Sequence, residues 1–366
     1  MTFNPSKPYN DLPLLPPQVD IESKNILKKA TAARAALAEL KGIAETIPQP
    51  EILINTILLQ EAKDSSEIEN IITTNDSLYK AAVLKDDRTD PATKEVIRYR
   101  QALWSGFNIL KKKRFISTNV AIEIYQILKD TSAGIRKIPG TTLKNAATGE
   151  IMYTPPEGET LLRDKLDNLW QFINNEKYAA IDPLIKMAAM HYQFESIHPF
   201  TDGNGRTGRI LNVLFMVQEG LLNLPILYHS SYIIREKQEY YRLLREITNN
   251  NSWEPWIIYM LSSVEDTSRQ TIEKIAIIRG LMTKTFEHIK TQLPRLKQAK
   301  EIAEILFMNP YCKIEHLVEK KIAVRQSASK YLKDLESIGI LKSEQVWKET
   351  VYRNVDLWNA LSRMSR

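Results

Sequence analysis

Twelve consecutive residues concentrate the groups that can carry a reaction: His198-Pro199-Phe200-Thr201-Asp202-Gly203-Asn204-Gly205-Arg206-Thr207-Gly208-Arg209. Three glycines in six residues let backbone N–H groups approach a ligand with no Cβ in the way. The loop opens a helix, and a helix N-terminus offers unpaired N–H donors and roughly half a positive charge. Arg206 and Arg209 stand three apart on the first turn, so both can reach around one anion. The run Gly203, Asn204, Gly205, Arg206, Thr207, Gly208, Arg209 therefore makes a polyphosphate cradle. Asp202 adds a hard oxygen beside it, as Mg²⁺ bound to phosphate needs. His198 ends the preceding helix and is the titratable group here that can take a proton near pH 7. Alone, His198 would read as a helix C-cap or a satisfied buried histidine. A lone Gly-x-Gly is also weak, and no Gly-Lys-Ser/Thr follows as in a Walker loop. The histidine, the acid, Gly-Asn-Gly and two arginines together outweigh those readings.

The stretch resembles the Fic signature, His-x-Phe-x-Asp/Glu-Gly-Asn-Gly-Arg-x-x-Arg, at every specified position. Tyr153-Thr154-Pro155-Pro156, Tyr240-Tyr241-Arg242-Leu243-Leu244 and Trp253-Glu254-Pro255-Trp256 extend the likeness over roughly residues 5–290. It is similar to bacterial two-domain Fic proteins with a C-terminal winged helix. The resemblance implies a protein adenylyltransferase that moves AMP from Mg·ATP to a Ser, Thr or Tyr hydroxyl of a target and of itself. His198 would deprotonate the hydroxyl, Phe200 anchor the loop and Asp202 hold Mg²⁺. The Gly203–Gly205 backbone and the Asn204 side chain would grip the α- and β-phosphates. Arg206 would contact the phosphates and Arg209 pair with the γ-phosphate. Tyr241, with Tyr240 beside it, is the candidate adenine contact, against the alternative that both are core aromatics. The hairpin at 141–153 resembles the flap that registers a target segment by strand addition.

Ser65-Ser66-Glu67-Ile68-Glu69-Asn70 resembles the family's inhibitory motif, Ser/Thr-x-x-x-Glu-Gly/Asn. Ser65 and Glu69 are four apart and share a helix face. Taken alone the segment would be a solvated face. Alongside the signature, Ser65, Glu69 and Asn70 become an inhibitory element in which Glu69 offers its carboxylate to Arg209, so that ATP binds with its phosphates misplaced. The same Glu69 can instead orient a water that removes AMP from a modified target.

The elements that must position these groups are mostly helical. Pro5, Pro8, Pro13, Pro16 and Pro17 exclude a helix over residues 1–20, and Tyr9, Leu12, Leu14 and Leu15 make that stretch a docked arm. Ile26, Ala30, Ala33, Leu37 and Leu40 form a stripe closed by Gly42, and Pro50-Glu51 opens the next helix. Residues 93–114 and 118–129 are amphipathic. Pro183 behind Asp182 starts the helix that ends before His198, and another runs from about Arg206 to Glu219. Thr141–Lys144 and Ile151–Tyr153 flank turn residues 145–150, which predicts a hairpin. A shift near 292–298 suggests a linker. Helices over 314–319 and 325–337, then strands around 340–342 and 350–354, have the look of a winged helix, with Trp347, Tyr352 and Trp358 filling its core. The expected architecture is mainly α: an arm and inhibitory region over 1–92, a Fic helical core with one β-hairpin flap over 93–291, and a winged helix over 292–366.

The chain has 366 residues, 43% hydrophobic and 26% charged, as an ordinary globular protein does. One cysteine, Cys312, excludes an internal disulfide and a cysteine-rich zinc site, and favours a reducing compartment. No apolar run reaches ~18 residues and no secretory start is present, so a cytoplasmic protein without membrane contact is expected. A net charge of +6 suits a polyanionic ligand but is too mild to choose one. Arg325, Lys330, Lys333, Lys342 and Lys348 can meet phosphates, but Asp334, Glu336, Glu344 and Glu349 dilute them, which ranks a protein-docking or homodimer role ahead of DNA contact. The competing functions are transfer of UMP, GMP or phosphocholine by the same loop, phosphate transfer from an inverted nucleotide, and a winged-helix regulator whose core only senses nucleotide.

Overall fold

The computed structural model describes residues 3–47, 49–84, 88–145 and 148–364. Met1, Thr2, Ser365, Arg366 and the hairpin-turn residues Ala146 and Ala147 lie outside the described residues. An extended arm comes first, then α1 (Lys24–Ala44), α2 (Pro50–Ile68), α3 (Asn75–Leu84), α4 (Pro91–Lys113) and α5 (Thr118–Lys129). The hairpin β1 (Leu143–Lys144) and β2 (Ile151–Tyr153) follows. The chain continues through α6 (Glu159–Asn174), α7 (Pro183–Ile197), α8 (Asn204–Gln218), α9 (Ser230–Arg235), α10 (Lys237–Asn250) and the long α11 (Trp253–Gln292). A C-terminal unit holds α12 (Ala299–Met308), β3 (Tyr311–Cys312), α13 (Ile314–Glu319), α14 (Arg325–Ser337), β4 (Leu341–Val346), β5 (Glu349–Asn354) and α15 (Val355–Met364).

α7 and α8 occupy the centre. α7 is buried on nearly every side from Leu184 to Ile197, which is why its sequence lacks a polar face. Asp182 accepts a hydrogen bond from Leu184 N and Pro183 fills the first turn, as the sequence predicted. α4, α5 and α6 surround the pair, and α1 lies along α11. The proline-rich arm is docked: Leu12 and Leu15 are buried, Lys165 Nζ donates to Leu12 C=O at 2.7 Å, and Gln193 Nε2 donates to Pro13 C=O at 2.9 Å. Leu14 faces solvent.

Two boundaries and one strand differ from expectation. Gly42 does not close α1, because Ala44, two residues on, still buries itself in the core. α8 starts at Asn204, two residues early, because Gly203 adopts φ 75° and turns the chain directly into the helix. The C-terminal helices and hairpin form as expected, but β3 adds a third strand, in the order β3-β5-β4. Trp347 is no core residue. It sits at φ 56° in the β4–β5 turn, 64% exposed, with the Arg88 guanidinium 4.0 Å over its ring. Three acidic residues of this unit have partners: Glu344 pairs with Lys80 and Arg353, the exposed Glu349 with Lys313, and Glu336 accepts from Ser343.

Contacts cross the boundaries expected near 92 and 291. Gln60 Nε2 donates to Leu361 C=O at 3.2 Å, Gln49 donates to Glu304, and Tyr311 OH donates to Asp76. The C-terminal unit is thus packed onto α2 and α3. Among the described residues no helix is long and apolar enough to cross a membrane.

Candidate active site

The site is the junction of α7 and α8, closed over by the end of α2. α7 stops at Ile197, and His198 takes the left-handed conformation, φ 50°, with its N–H on Phe194 C=O at 3.0 Å. That conformation is unfavourable for a non-glycine residue and persists only where the surroundings hold it. Arg136 does so: its Nε donates to His198 C=O at 2.8 Å, and its own N–H donates to Pro199 C=O. His198 Nδ1 lies 3.4 Å from Glu195 C=O. A carbonyl can only accept, so Nδ1 carries the proton and the Nε2 lone pair faces away. Burial first, and then the Arg136 charge, push His198 down to about 4, so the ring is neutral at pH 7.

The loop between the helices is anchored from below. Phe200 is buried and stacks on Tyr125, centroids 4.0 Å apart. Asn204, itself buried, accepts from Phe200 N–H and donates to Phe200 C=O, both at 2.8 Å. Its amide clamps the loop from Phe200. Thr207 and Gly208 also turn inward. Thr207 is fully buried, and a Cβ at Gly208 would lie 2.9 Å from Glu195 Oε1 on α7. The missing Cβ at Gly208 lets α8 pack closely on α7.

What remains forms the cradle. Gly203 N–H is taken by Asp202 Oδ1 at 2.6 Å and Thr207 N–H by Gly203 C=O. The N–H groups of Asn204, Gly205 and Arg206 are the first-turn donors of α8, which have no intrahelical partner. Four charges flank them. Arg206, 1% exposed, donates to Glu95 Oε1 at 2.5 Å; Lys129 Nζ lies 2.7 Å from the same oxygen and 2.6 Å from Asp202 Oδ2. Partial burial works against Asp202 ionising, but Lys129 and Arg206 prevail and hold its carboxyl below the usual range. Asp202 is 64% exposed, an ionised hard oxygen beside three amides. One carboxylate with waters and phosphate oxygens is the way Mg²⁺ is usually held, so these residues fit the metal. Among the described residues no group of three His, Cys, Asp or Glu side chains forms an all-protein cage.

Arg209 is drawn the other way. Its Nε donates to Ser65 Oγ at 2.8 Å, and its Nη2 donates to Ser65 C=O at 2.8 Å and to Glu69 Oε1 at 3.0 Å. Arg206 and Arg209 therefore do not clasp one anion here: each has its own carboxylate. Glu69 caps the C-terminus of α2, and Asn70 follows at φ 62°, the left-handed position where Gly or Asn ends a helix. A Cβ built on Gly205 would meet Glu69 Oε1 at 2.3 Å. The carboxylate thus lies against the bare backbone of the cradle. α2 is held there by Glu61, buried and pushed up to about 7 by burial, which accepts from Ser230 N–H at 2.8 Å and from Tyr99 OH at 3.0 Å. Tyr240 is a core residue bonded to His191 Nε2 at 2.8 Å, whereas Tyr241 is 40% exposed. Tyr241 packs edge-on against Tyr240, centroids 5.1 Å apart, and burial and then the Glu69 charge raise its phenol.

Glu95, Lys129 and Arg136 escaped the sequence reading. Glu95 and Lys129 lie on the two amphipathic helices and Arg136 on a loop, and none has a spacing relation to the 198–209 stretch that could have flagged it.

Three family models match the chain in succession: Fic/DOC family N-terminal over residues 27–108, Fic/DOC family over 115–216, and the C-terminal domain of SoFic-like protein adenylyltransferases over 281–357. A protein adenylyltransferase of Caenorhabditis briggsae is 32% identical over 122 residues, 33% of this chain and 22% of that protein. A probable protein adenylyltransferase of Aquifex aeolicus is 28% identical over 193 residues, 52% of this chain and 58% of that protein. The chain thus spans between about a fifth and three fifths of these relatives. A Fic family protein from Desulfovibrio desulfuricans shares the fold with a TM-score of 0.59 at 18% identity, over 93% of this chain and 98% of that one. A Fic-1 fragment from Caenorhabditis elegans does so with a TM-score of 0.53 at 20% identity, over 69% and 74%.

Proposed function

We propose that this chain, which belongs to the Fic/DOC family, is a protein adenylyltransferase restrained by its own Glu69. The observation that carries the proposal is the pairing of a neutral His198, Nε2 free, with the three open amides of the α8 N-terminus. A target hydroxyl gives its proton to His198 Nε2 as its oxygen attacks the α-phosphorus of ATP. The bond from that phosphorus to the bridging oxygen breaks, AMP stays on the target and pyrophosphate leaves. The Asn204, Gly205 and Arg206 amides face the developing phosphate charge, and Arg209 is the partner for the γ-phosphate once Glu69 withdraws. Asp202 would hold Mg²⁺, which neutralises phosphate charge. Tyr241 is the adenine contact, and the β1–β2 flap takes the target segment as an added strand.

Glu69 against Arg209 supports autoinhibition; its place beside the cradle also suits positioning a water for AMP removal. The N-terminal region serves as the brake, the core does the chemistry, and the C-terminal winged helix docks a protein partner or a second copy. An ATP-rich, reducing compartment such as the cytoplasm suits the reaction. The test is transfer of label to protein from α-labelled and from γ-labelled ATP. Label from the α-position alone is expected. Label from the γ-position would replace adenylylation with phosphate transfer, and a stronger signal from UTP, GTP or CDP-choline would change the donor.

A further inference from the structure

A helix leaves its last carbonyls without intrahelical donors, and the way these are satisfied fixes where the chain goes next. At the end of α7 the donors come from the flap side of the molecule. Tyr153, the last residue of β2, donates its hydroxyl to Ser196 C=O at 2.8 Å. Arg136, just upstream of β1 and 4% exposed, donates Nε to His198 C=O at 2.8 Å and Nη2 to Ile197 C=O at 3.4 Å. The same Nη2 donates to Pro156 C=O, at the exit of β2. One guanidinium thus bridges the base of the flap and the backbone of the proton acceptor. The arm braces the other side: Tyr9 N–H donates to Thr154 C=O at 3.0 Å, and Phe3 stacks on Tyr153 at 5.7 Å.

We propose that Arg136, assisted by Tyr153, is a positioning joint that sets the distance between the flap and His198, so that a target strand added to the flap presents its hydroxyl to Nε2. The inference rests on the proposal that the flap carries the target. Arg136 does not touch the reacting atoms. Its planar fork is what lets one side chain span carbonyls of two segments, which a lysine ammonium cannot reproduce. Arg136 also holds His198, so its loss lowers both rates; but a water molecule needs no flap to reach the α-phosphorus, so the protein acceptor should lose far more.

The experiment uses the full chain carrying Glu69→Gly, and adds Arg136→Gln or Tyr153→Phe. Two rates are measured with labelled ATP: incorporation of AMP into protein, and release of free AMP to water. Nucleotide affinity and the melting temperature are read in parallel. Arg136→Gln should lower the protein-to-water ratio on the order of 10²-fold, the scale of an ångström-sized misplacement of a reacting group. Tyr153→Phe, which keeps the ring and its stacking, should lower the ratio several-fold. Equal losses of both rates, or an unchanged ratio, would overturn the joint. Should Arg136→Gln fail to fold, the ratio in Tyr153→Phe decides. The ratio is taken with whichever donor the Glu69→Gly parent uses, so a donor other than ATP would sink adenylylation while the ratio still judges the joint.

Discussion

Glu69→Gly should raise AMP incorporation, by an amount the structure bounds. Arg209 is 1% exposed and Glu69 33%, with Oε1 3.0 Å from Nη2. A hydrogen bond involving a charged group contributes about 1.5–3 kcal/mol. At about 1.4 kcal/mol per tenfold, ATP that must displace the carboxylate loses roughly ten- to hundred-fold in productive binding. The partial exposure of Glu69 moves the pair toward the lower end. Arg209 keeps its bonds to Ser65 Oγ and Ser65 C=O, so its fork stays aimed when the carboxylate goes. Glu69 caps α2 at φ −92° rather than lying inside it, so glycine costs less than the ~1 kcal/mol of a helix interior. Shape contributes as well as charge, because Glu69 Oε1 fills the space a Gly205 Cβ would need. Glu69→Gln keeps the volume and removes the charge, so it should recover only part of the rate. The assay is the initial rate of label transfer from α-labelled ATP to the protein itself and to lysate proteins, at saturating ATP. A Glu69→Gly rate no higher than wild type would refute the brake, and a simultaneous loss of AMP removal from a pre-modified target would assign Glu69 to the reverse chemistry.

His198→Ala should lower transfer by roughly 10²–10⁴-fold with the melting temperature nearly unchanged, since a general base contributes about that much; wild-type self-labelling by this variant would remove His198 from its role. Because His198 is pushed down to about 4, its neutral form persists above that pH and is lost below it, so kcat/KM should hold from pH 7 to 5 and fall toward 4. An acid limb centred near the ordinary histidine value of 6.5 would mean that the ring is solvated before the reaction. Asp202→Asn should raise the Mg²⁺ concentration needed for half-maximal rate, because an amide oxygen is the poorer ligand for a hard cation; an unchanged Mg²⁺ titration would assign the metal elsewhere.

Much of the site was legible because one continuous segment carries it. A helix ending in His198, a glycine turn and a second helix need no distant chain to be recognised as a base beside an anion cradle. Glu69 was legible for a different reason: Ser65 to Asn70 resembles the family's inhibitory motif, and only beside the 198–209 stretch does that six-residue likeness outweigh a solvated helix face. What the sequence does not separate is which residues of the 203–209 run turn inward and which face the site. On a helix, residues four apart share a face, so Gly205 and Arg209 fall together, and so do Asn204 and Gly208. The first pair meets Glu69, while Asn204 clamps the loop and Gly208 packs on α7. Gly205 and Gly208 are therefore glycines for different reasons, bare backbone in one case and helix contact in the other. Glu95, Lys129 and Arg136 were illegible because charge on an amphipathic helix or a loop looks the same in sequence whether it meets water or a buried partner. Only the packing of α4 and α5 against α8 turns Glu95 and Lys129 toward Arg206 and Asp202. That packing gives the phosphate side of the cradle its own counter-charge, Glu95, just as Glu69 is the counter-charge of Arg209. The difference is that Lys129 also reaches Glu95 and Asp202, so on the proposed mechanism the Arg206 side would keep its ion pairs when ATP binds, whereas the Arg209 side would exchange Glu69 for the γ-phosphate.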